Sequence, residues 1–213
     1  DAGGEGIRDL KNLAREQGVP WQPVPGEKLD RLTTTEHQGV VAFISQVEMQ
    51  DLDGVIAQAY DRGEDPLIVA LDGVTDVRNM GAIARSAECF GAHGLLVPKT
   101  GTARLGSDAV KSSAGALLRK PVCRVDSFKE ALQRAQDHGL RIVACTEKTD
   151  AAIEAADLTG PLVLVMGAED VGISDHILRM ADARVRIRMA GTIGSLNVSV
   201  AAGVLLFERV RQM

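Results

Sequence analysis

The polar side chains with chemical potential gather in three segments, each an apolar run leading into a polar turn. The first, Leu71 to Ala87, carries Asn79 and Arg85. The second, Leu162 to Ile173, reads LVLVMGAEDVGI and sets Glu169 between Gly167 and Gly172. The third, Val185 to Val200, reads VRIRMAGTIGSLNVSV and sets Ser195 and Asn197 after Gly191 and Gly194. Glycine lets a backbone come close to a ligand, so the second and third segments read as turns for a nucleotide. Neither is a Walker loop, since no Lys and Ser/Thr follow Gly172, and no G-x-G-x-x-G follows the first strand. Taken alone, Asn79 reads as a cap or turn residue, Arg85 as a surface ion-pair partner and Ser195 as the cap of a final helix, with Asn197 in its first turn. On one helix, Asn79 and Arg85 lie about 120° apart, so they can border a cleft without sharing a narrow face.

A parallel sheet can hold such turns at one edge. From residue 66 onward, short apolar runs alternate with helical patterns, which predicts strands over 67–71, 94–97, 122–125, 141–145, 162–166 and 185–187. Helices are expected over 79–90, 106–117, 127–138, 174–180 and 195–211. The expected fold is therefore α/β: a mostly parallel six-stranded sheet with helices on both faces, preceded by a partial small α/β module. Residues 1–46 form that module, with a helix over 6–17 and a strand over 39–46; residues 47–65 are expected to be a polar linker, partly helical, and 66–213 the larger domain. The last helix is apolar all round, from Leu196 through Phe207, and such a helix must be covered on every side. That points either to deep burial against the sheet or, as the preferred reading, to burial against a second copy of the chain in a homodimer.

Composition narrows the partners. Apolar residues make up 45% and charged residues 25%, a globular balance, and no apolar run approaches the length of a membrane span. Three cysteines, Cys89, Cys123 and Cys145, stand far apart, which supports neither a disulfide framework nor a zinc site. A cytoplasmic protein without a metal is the expectation. The formal charge is −5, but residues 78–124 carry eight basic and two acidic side chains. That concentration offers a surface for phosphates on an otherwise acidic chain.

The segments LDGVTDVRNMGA, LVMGAEDVGI and RMAGTIGSLNVSVAAGVLLFERVRQ resemble, in order and spacing, the three motifs of the SpoU/TrmH RNA 2′-O-ribose methyltransferases, and most of all the group acting on guanosine of 23S ribosomal RNA. The resemblance covers residues 66–213. It implies a SPOUT fold with a C-terminal deep trefoil knot, S-adenosylmethionine as cofactor, structured RNA as substrate, and a homodimer formed through the knotted regions. Carried onto matching positions, it assigns cofactor binding to Gly167, Ile187 and Leu196, with Thr146, Met166, Met189 and Ser195 beside them. The catalytic set becomes Arg85, Glu169, Asn79, Ser195 and Asn197. Since an arginine stays protonated, Glu169 is the better proton acceptor and Arg85 the electrostatic partner. The resemblance also makes residues 1–46 part of an RNA substrate-binding domain. In the motif-one turn, Val77 and Arg78 stand where relatives often have Pro and His. A transfer-RNA methyltransferase and a non-catalytic RNA-binding assembly factor are the rival readings, although no motif residue is missing; a Rossmann-type enzyme is disfavoured by the missing glycine fingerprint.

Overall fold

The computed structural model describes residues 5–17, 19–42 and 47–213. They divide between two compact units, Asp1–Ile44 and Ser45–Met213. The first contains helices α1 (Glu5–Glu16) and α2 (Gly26–Leu32). Within it the Lys11 ammonium lies 5.3 Å from the centre of the Trp21 ring, a cation–π contact. Of the strand expected over residues 39–46, residues 39–42 are not in a strand and residues 43–46 lie outside the described residues.

The second unit runs α3 (Leu52–Asp61), β1 (Leu67–Asp72), α4 (Val77–Cys89), β2 (Gly94–Pro98), α5 (Ser107–Ser112), β3 (Val122–Val125), α6 (Phe128–Asp137), β4 (Arg141–Cys145), β5 (Leu162–Gly167), α7 (Asp175–Met180), β6 (Ala183–Val185) and α8 (Val198–Gln212). The six strands form one parallel sheet in the order β3-β2-β1-β5-β4-β6. Both faces are covered, which is why the strands are continuously apolar rather than alternating. Along β1, Leu67, Val69 and Leu71 enter a core shared with α4 and α8, while Ile68 and Ala70 enter a second core shared with α3, α6 and α7.

Three expectations shift. The linker, expected to be polar and partly helical, holds α3, and its Leu52, Val55, Ile56 and Ala59 are buried in the second core rather than exposed; polar residues on the outer face diluted that apolar spacing. Helix α5 stops at Ser112 because Ala114 and Gly115 take positive φ of 51° and 82°, a left-handed exit that ends a helix. Ser112 and Ser113 also turn their hydroxyls back onto the Asp108 and Val110 carbonyls, at 2.9 and 2.8 Å. Strand β6 ends at Val185, and Arg186 instead bridges to Ala152.

The strand order places the functional edge. The chain builds β1, β2 and β3 outward on one side and β5, β4 and β6 on the other, so β1 and β5 meet where the direction of winding changes. Open α/β sheets bind ligands beyond the carboxyl ends of strands at such a point. Here those ends are Asp72 of β1, Gly167 of β5 and Cys145 of β4. Among the described residues, no helix is long and apolar enough to cross a membrane.

Candidate active site

Asn197 joins the three polar segments. Its side-chain oxygen caps α8, accepting from the backbone N–H of Ser199 at 3.0 Å and the Ser199 hydroxyl at 2.5 Å. With the oxygen committed there, the amide nitrogen faces the other way. It donates to Oδ1 of Asn79 at 2.9 Å and to Oε1 of Glu169 at 2.5 Å. Asn79 is free to accept because Asp76 has taken over its expected duty: the Asp76 carboxylate caps α4, accepting from the N–H groups of Arg78 and Asn79 at 2.8 and 2.9 Å. The expected cap Ser195 is thus corrected to Asn197, since α8 begins at Val198 rather than Ser195. The second oxygen of Glu169 has no hydrogen-bond partner among the described residues, which leaves it open to a ligand.

Beside this cluster lies a cavity of about 770 Å³, within the range of small-molecule sites. Thr146, Met166, Gly167, Ile187, Met189, Ser195 and Leu196 all line it, as does Glu169. The walls are the ends of β4 and β5, the chain after β6, and the approach to α8. Gly167 is the tight point. A Cβ there would stand 2.2 Å from the Gly172 carbonyl carbon and from the Ile173 nitrogen, so only glycine lets the turn fold back on the strand. Gly172, at φ +71°, completes that turn and donates its N–H to the Ala168 carbonyl at 2.9 Å. Asp72, at the end of β1, holds the far side by accepting from the Ser174 N–H and hydroxyl at 2.8 and 2.7 Å.

The cavity's polar lining has both signs. Glu147, Glu169 and Asp170 supply negative charge, and Lys148, Arg186 and Arg188 positive charge. Arg186 pairs with Asp150 at 3.3 Å and Arg188 with Glu154 at 3.2 Å, which ties the chain after β6 to the segment following β4. Cys145 contributes its side chain to the wall, where burial pushes the thiol up to about 12, with a smaller push from Glu147. A thiol held protonated is a poor nucleophile.

Some expected residues stand apart. Arg85 is exposed on α4 and makes neither an ion pair nor a side-chain hydrogen bond among the described residues, so no contact joins it to Asn79, Glu169 or Asn197. Ser195 lines the cavity but is not in the hydrogen-bonded trio. Gly191 and Gly194 have open space where a Cβ would sit, so sterics do not require glycine there. Sequence reasoning missed the Asp72–Ser174 latch, the Asp76 cap and the charged rim. Only the cap had a local signal, an Asp just before a helical run.

Residues 66–207 match the SpoU rRNA Methylase family, and residues 2–50 match the RNA 2′-O ribose methyltransferase substrate binding family. A Bacillus subtilis (strain 168) protein assigned to the TrmH family of tRNA/rRNA methyltransferases, YacO, is 36% identical over 200 residues, 94% of this chain and 80% of its own. The AdoMet complex of the SpoU methyltransferase AviRb from Streptomyces viridochromogenes superposes with a TM-score of 0.70 at 34% identity, over 78% of this chain and 65% of that one. The AdoMet-bound rRNA methyltransferase from Sinorhizobium meliloti gives 0.67 at 29% identity, over 78% of this chain and 62% of that one. The chain thus spans somewhat less than two thirds of the length of these solved relatives. With a family model matched from the first strand into the last helix, and the polar groups of all three matched segments brought to one edge of the sheet, this chain belongs to the SpoU rRNA methylase family.

Proposed function

We propose that this chain transfers a methyl group from S-adenosylmethionine to a ribose 2′-hydroxyl of structured RNA, a guanosine of 23S ribosomal RNA being the favoured target. The observation that carries the reading is Asn197: one side chain caps α8 and aligns Glu169 and Asn79 beside the glycine cradle. The cradle fits the cofactor. Gly167 lets the 167–173 turn fold back tightly on β5, Met166, Ile187 and Leu196 supply apolar contact, and the rim offers acids for a cationic ligand and bases for its carboxylate.

Bound cofactor supplies an electrophilic methyl carried on a sulfonium. The chain's own residues do the rest. Met166, Ile187 and Leu196 exclude water from the cavity and fix orientation, which matters because an in-line transfer draws much of its rate from positioning. The unpartnered oxygen of Glu169 takes the proton of the ribose hydroxyl. Asn197 holds that carboxylate in place, and Asn79 holds Asn197. Arg85, free of internal partners, meets the phosphate and the negative charge developing on the ribose oxygen. Ser195 orients the ribose from the cavity wall.

Residues 1–46 serve in this reading as part of an RNA substrate-binding domain, followed by a connector to residue 65 and a catalytic domain over 66–213 that carries the knotted C-terminal segment. Two such chains pair through α8, where Val200, Phe207 and Val210 stand 51, 57 and 45% exposed. A transfer-RNA target is the second reading, supported by the tRNA/rRNA description of the Bacillus subtilis relative. Mapping 2′-O-methyl marks in ribosomal and transfer RNA from cells lacking the protein separates the two targets. For the division of roles, Glu169→Gln should lower turnover about 100-fold or more, the usual weight of a positioned acid–base group, with cofactor affinity retained. Near-normal turnover in Glu169→Gln together with none in Arg85→Lys would reverse the assignment.

A further inference from the structure

Helix α4 presents a solvent-facing stripe between two neighbours. Its core face is Met80, Ile83, Ala84 and Ala87. On one flank Gly81 meets α5 so closely that a Cβ would lie 2.0 Å from the Ser112 hydroxyl oxygen, and that hydroxyl donates to the Val77 carbonyl at 3.3 Å. On the other flank Ser86 lies against Gly203 of α8, 3.8 Å from a Cβ built there. Arg78 and Arg85 are seven residues apart, so they fall within about 20° of each other and about 10.5 Å apart along the axis, in the gap between those flanks. Both are exposed, and so are Arg104 before α5, Lys111 on it and Arg119 at the end of the short helical turn Ala116–Leu118 that follows it.

These five cations make no ion pair among the described residues. Of the lysines and arginines between positions 78 and 124, only Lys99 is in an ion pair among the described residues, with Asp126 at 2.9 Å. The acids in that span are Glu88 and Asp108, so the face keeps a clear positive excess on a chain whose total is −5. Retaining so many unpaired cations works against the compact state through mutual repulsion, and such a field favours an anionic partner. The stripe starts at Arg78, one residue before Asn79, so the partner on this face is continuous with the molecule that the Asn79–Glu169–Asn197 cluster acts on.

We infer that the α4–α5 face, through Arg78, Arg85, Arg104, Lys111 and Arg119, binds the phosphate backbone of the RNA on its way to the methylation site. The inference rests on the RNA reading above and adds to it which surface takes the phosphates. It predicts sequence-independent, salt-sensitive binding, since phosphate contacts position a nucleic acid without reading its bases.

The test uses the full chain and a triple variant, Arg104→Ala/Lys111→Ala/Arg119→Ala, which leaves the proposed catalytic residues intact. Binding to transcribed 23S ribosomal RNA and to a transfer-RNA transcript is measured from about 50 to 200 mM salt, with cofactor binding and methyl transfer in parallel. Losing three phosphate contacts should reduce the slope of log affinity against log salt by about 2 to 3, and weaken affinity for both RNAs up to about 100-fold near 0.1 M salt, with cofactor affinity unchanged. If the triple variant keeps the parent's affinity and slope while the parent methylates RNA, this surface is wrong and the enzymatic reading stands. If the parent binds cofactor but neither binds nor methylates either RNA, the RNA reading fails and this inference with it.

Discussion

Replacing Gly167 by alanine tests the cradle most sharply. The residue is not among those at positive φ, so alanine meets no backbone objection and the whole effect is steric. The added methyl would lie 2.2 Å from two backbone atoms and 2.5 Å from the Gly172 oxygen, against a comfortable separation of about 3.5–4.0 Å. Backbone cannot swing aside as a side chain can, so the 167–173 turn must open by more than 1 Å, or about that, to restore contact distance. Overpacking of this kind costs about 1–3 kcal/mol, which lowers the melting temperature by about 2–12 °C for a chain of this length. A turn that opens also loses its grip on the cofactor. If binding requires the opened turn to close again against the added methyl, so that a further strain of this size falls on the bound state alone, affinity falls by about 5- to 150-fold, since each 1.4 kcal/mol is roughly tenfold. Calorimetric titration with S-adenosylmethionine, alongside thermal denaturation, reads both. Cofactor affinity within twofold of the parent and an unchanged melting temperature would refute the steric argument.

Three further outcomes follow from the same geometry. Asn197→Ala should cost about 0.5–2 kcal/mol through the lost cap and abolish most turnover, whereas Asn197→Ser should restore thermal stability without restoring turnover, because a hydroxyl can cap α8 but cannot donate to Asn79 and Glu169 together. Glu208 is held down to about 2 by hydrogen bonds from Arg211 and Gln212. A carboxyl depressed in the folded chain stabilises it above the ordinary value of 4.5 and loses that contribution as pH falls toward 2, so acid unfolding of Glu208→Gln should be flatter than the parent's between those limits. The Cys145 thiol, raised to about 12 from 9.0, favours the folded chain below pH 9 and costs stability as pH rises from there toward 12; at pH 8, mass-spectrometric footprinting should find iodoacetamide on exposed Cys89 well before Cys145.

The sheet was readable because its strands are short apolar runs of a kind that parallel strands require when both faces are covered, and β3 and β4 fall where the pattern put them. The glycine turn after β5 was also readable, through Gly167 and Gly172, since both are demanded by local geometry. What sequence spacing hid was long-range. Asn197 joins Asn79 and Glu169 across 118 and 28 positions, and Asp72 reaches Ser174 across 102. No periodicity encodes such contacts; they exist because β1 and β5 lie side by side. Helix α3 was legible only in part, as a partly helical linker, because its four buried residues are scattered among polar ones that face outward. Arg85 belongs to a third class, a motif residue that makes no ion pair or side-chain hydrogen bond among the described residues.

The chemistry itself is tested by following the methyl group. The protein is incubated with methyl-labelled S-adenosylmethionine and transcribed ribosomal RNA, the RNA is digested to nucleosides, and the labelled nucleoside is identified by mass spectrometry. Label on the ribose oxygen of guanosine, lost in Glu169→Gln although the cofactor still binds, is the predicted result. Label on a base, or cofactor binding with no transfer to any RNA offered, would contradict the account.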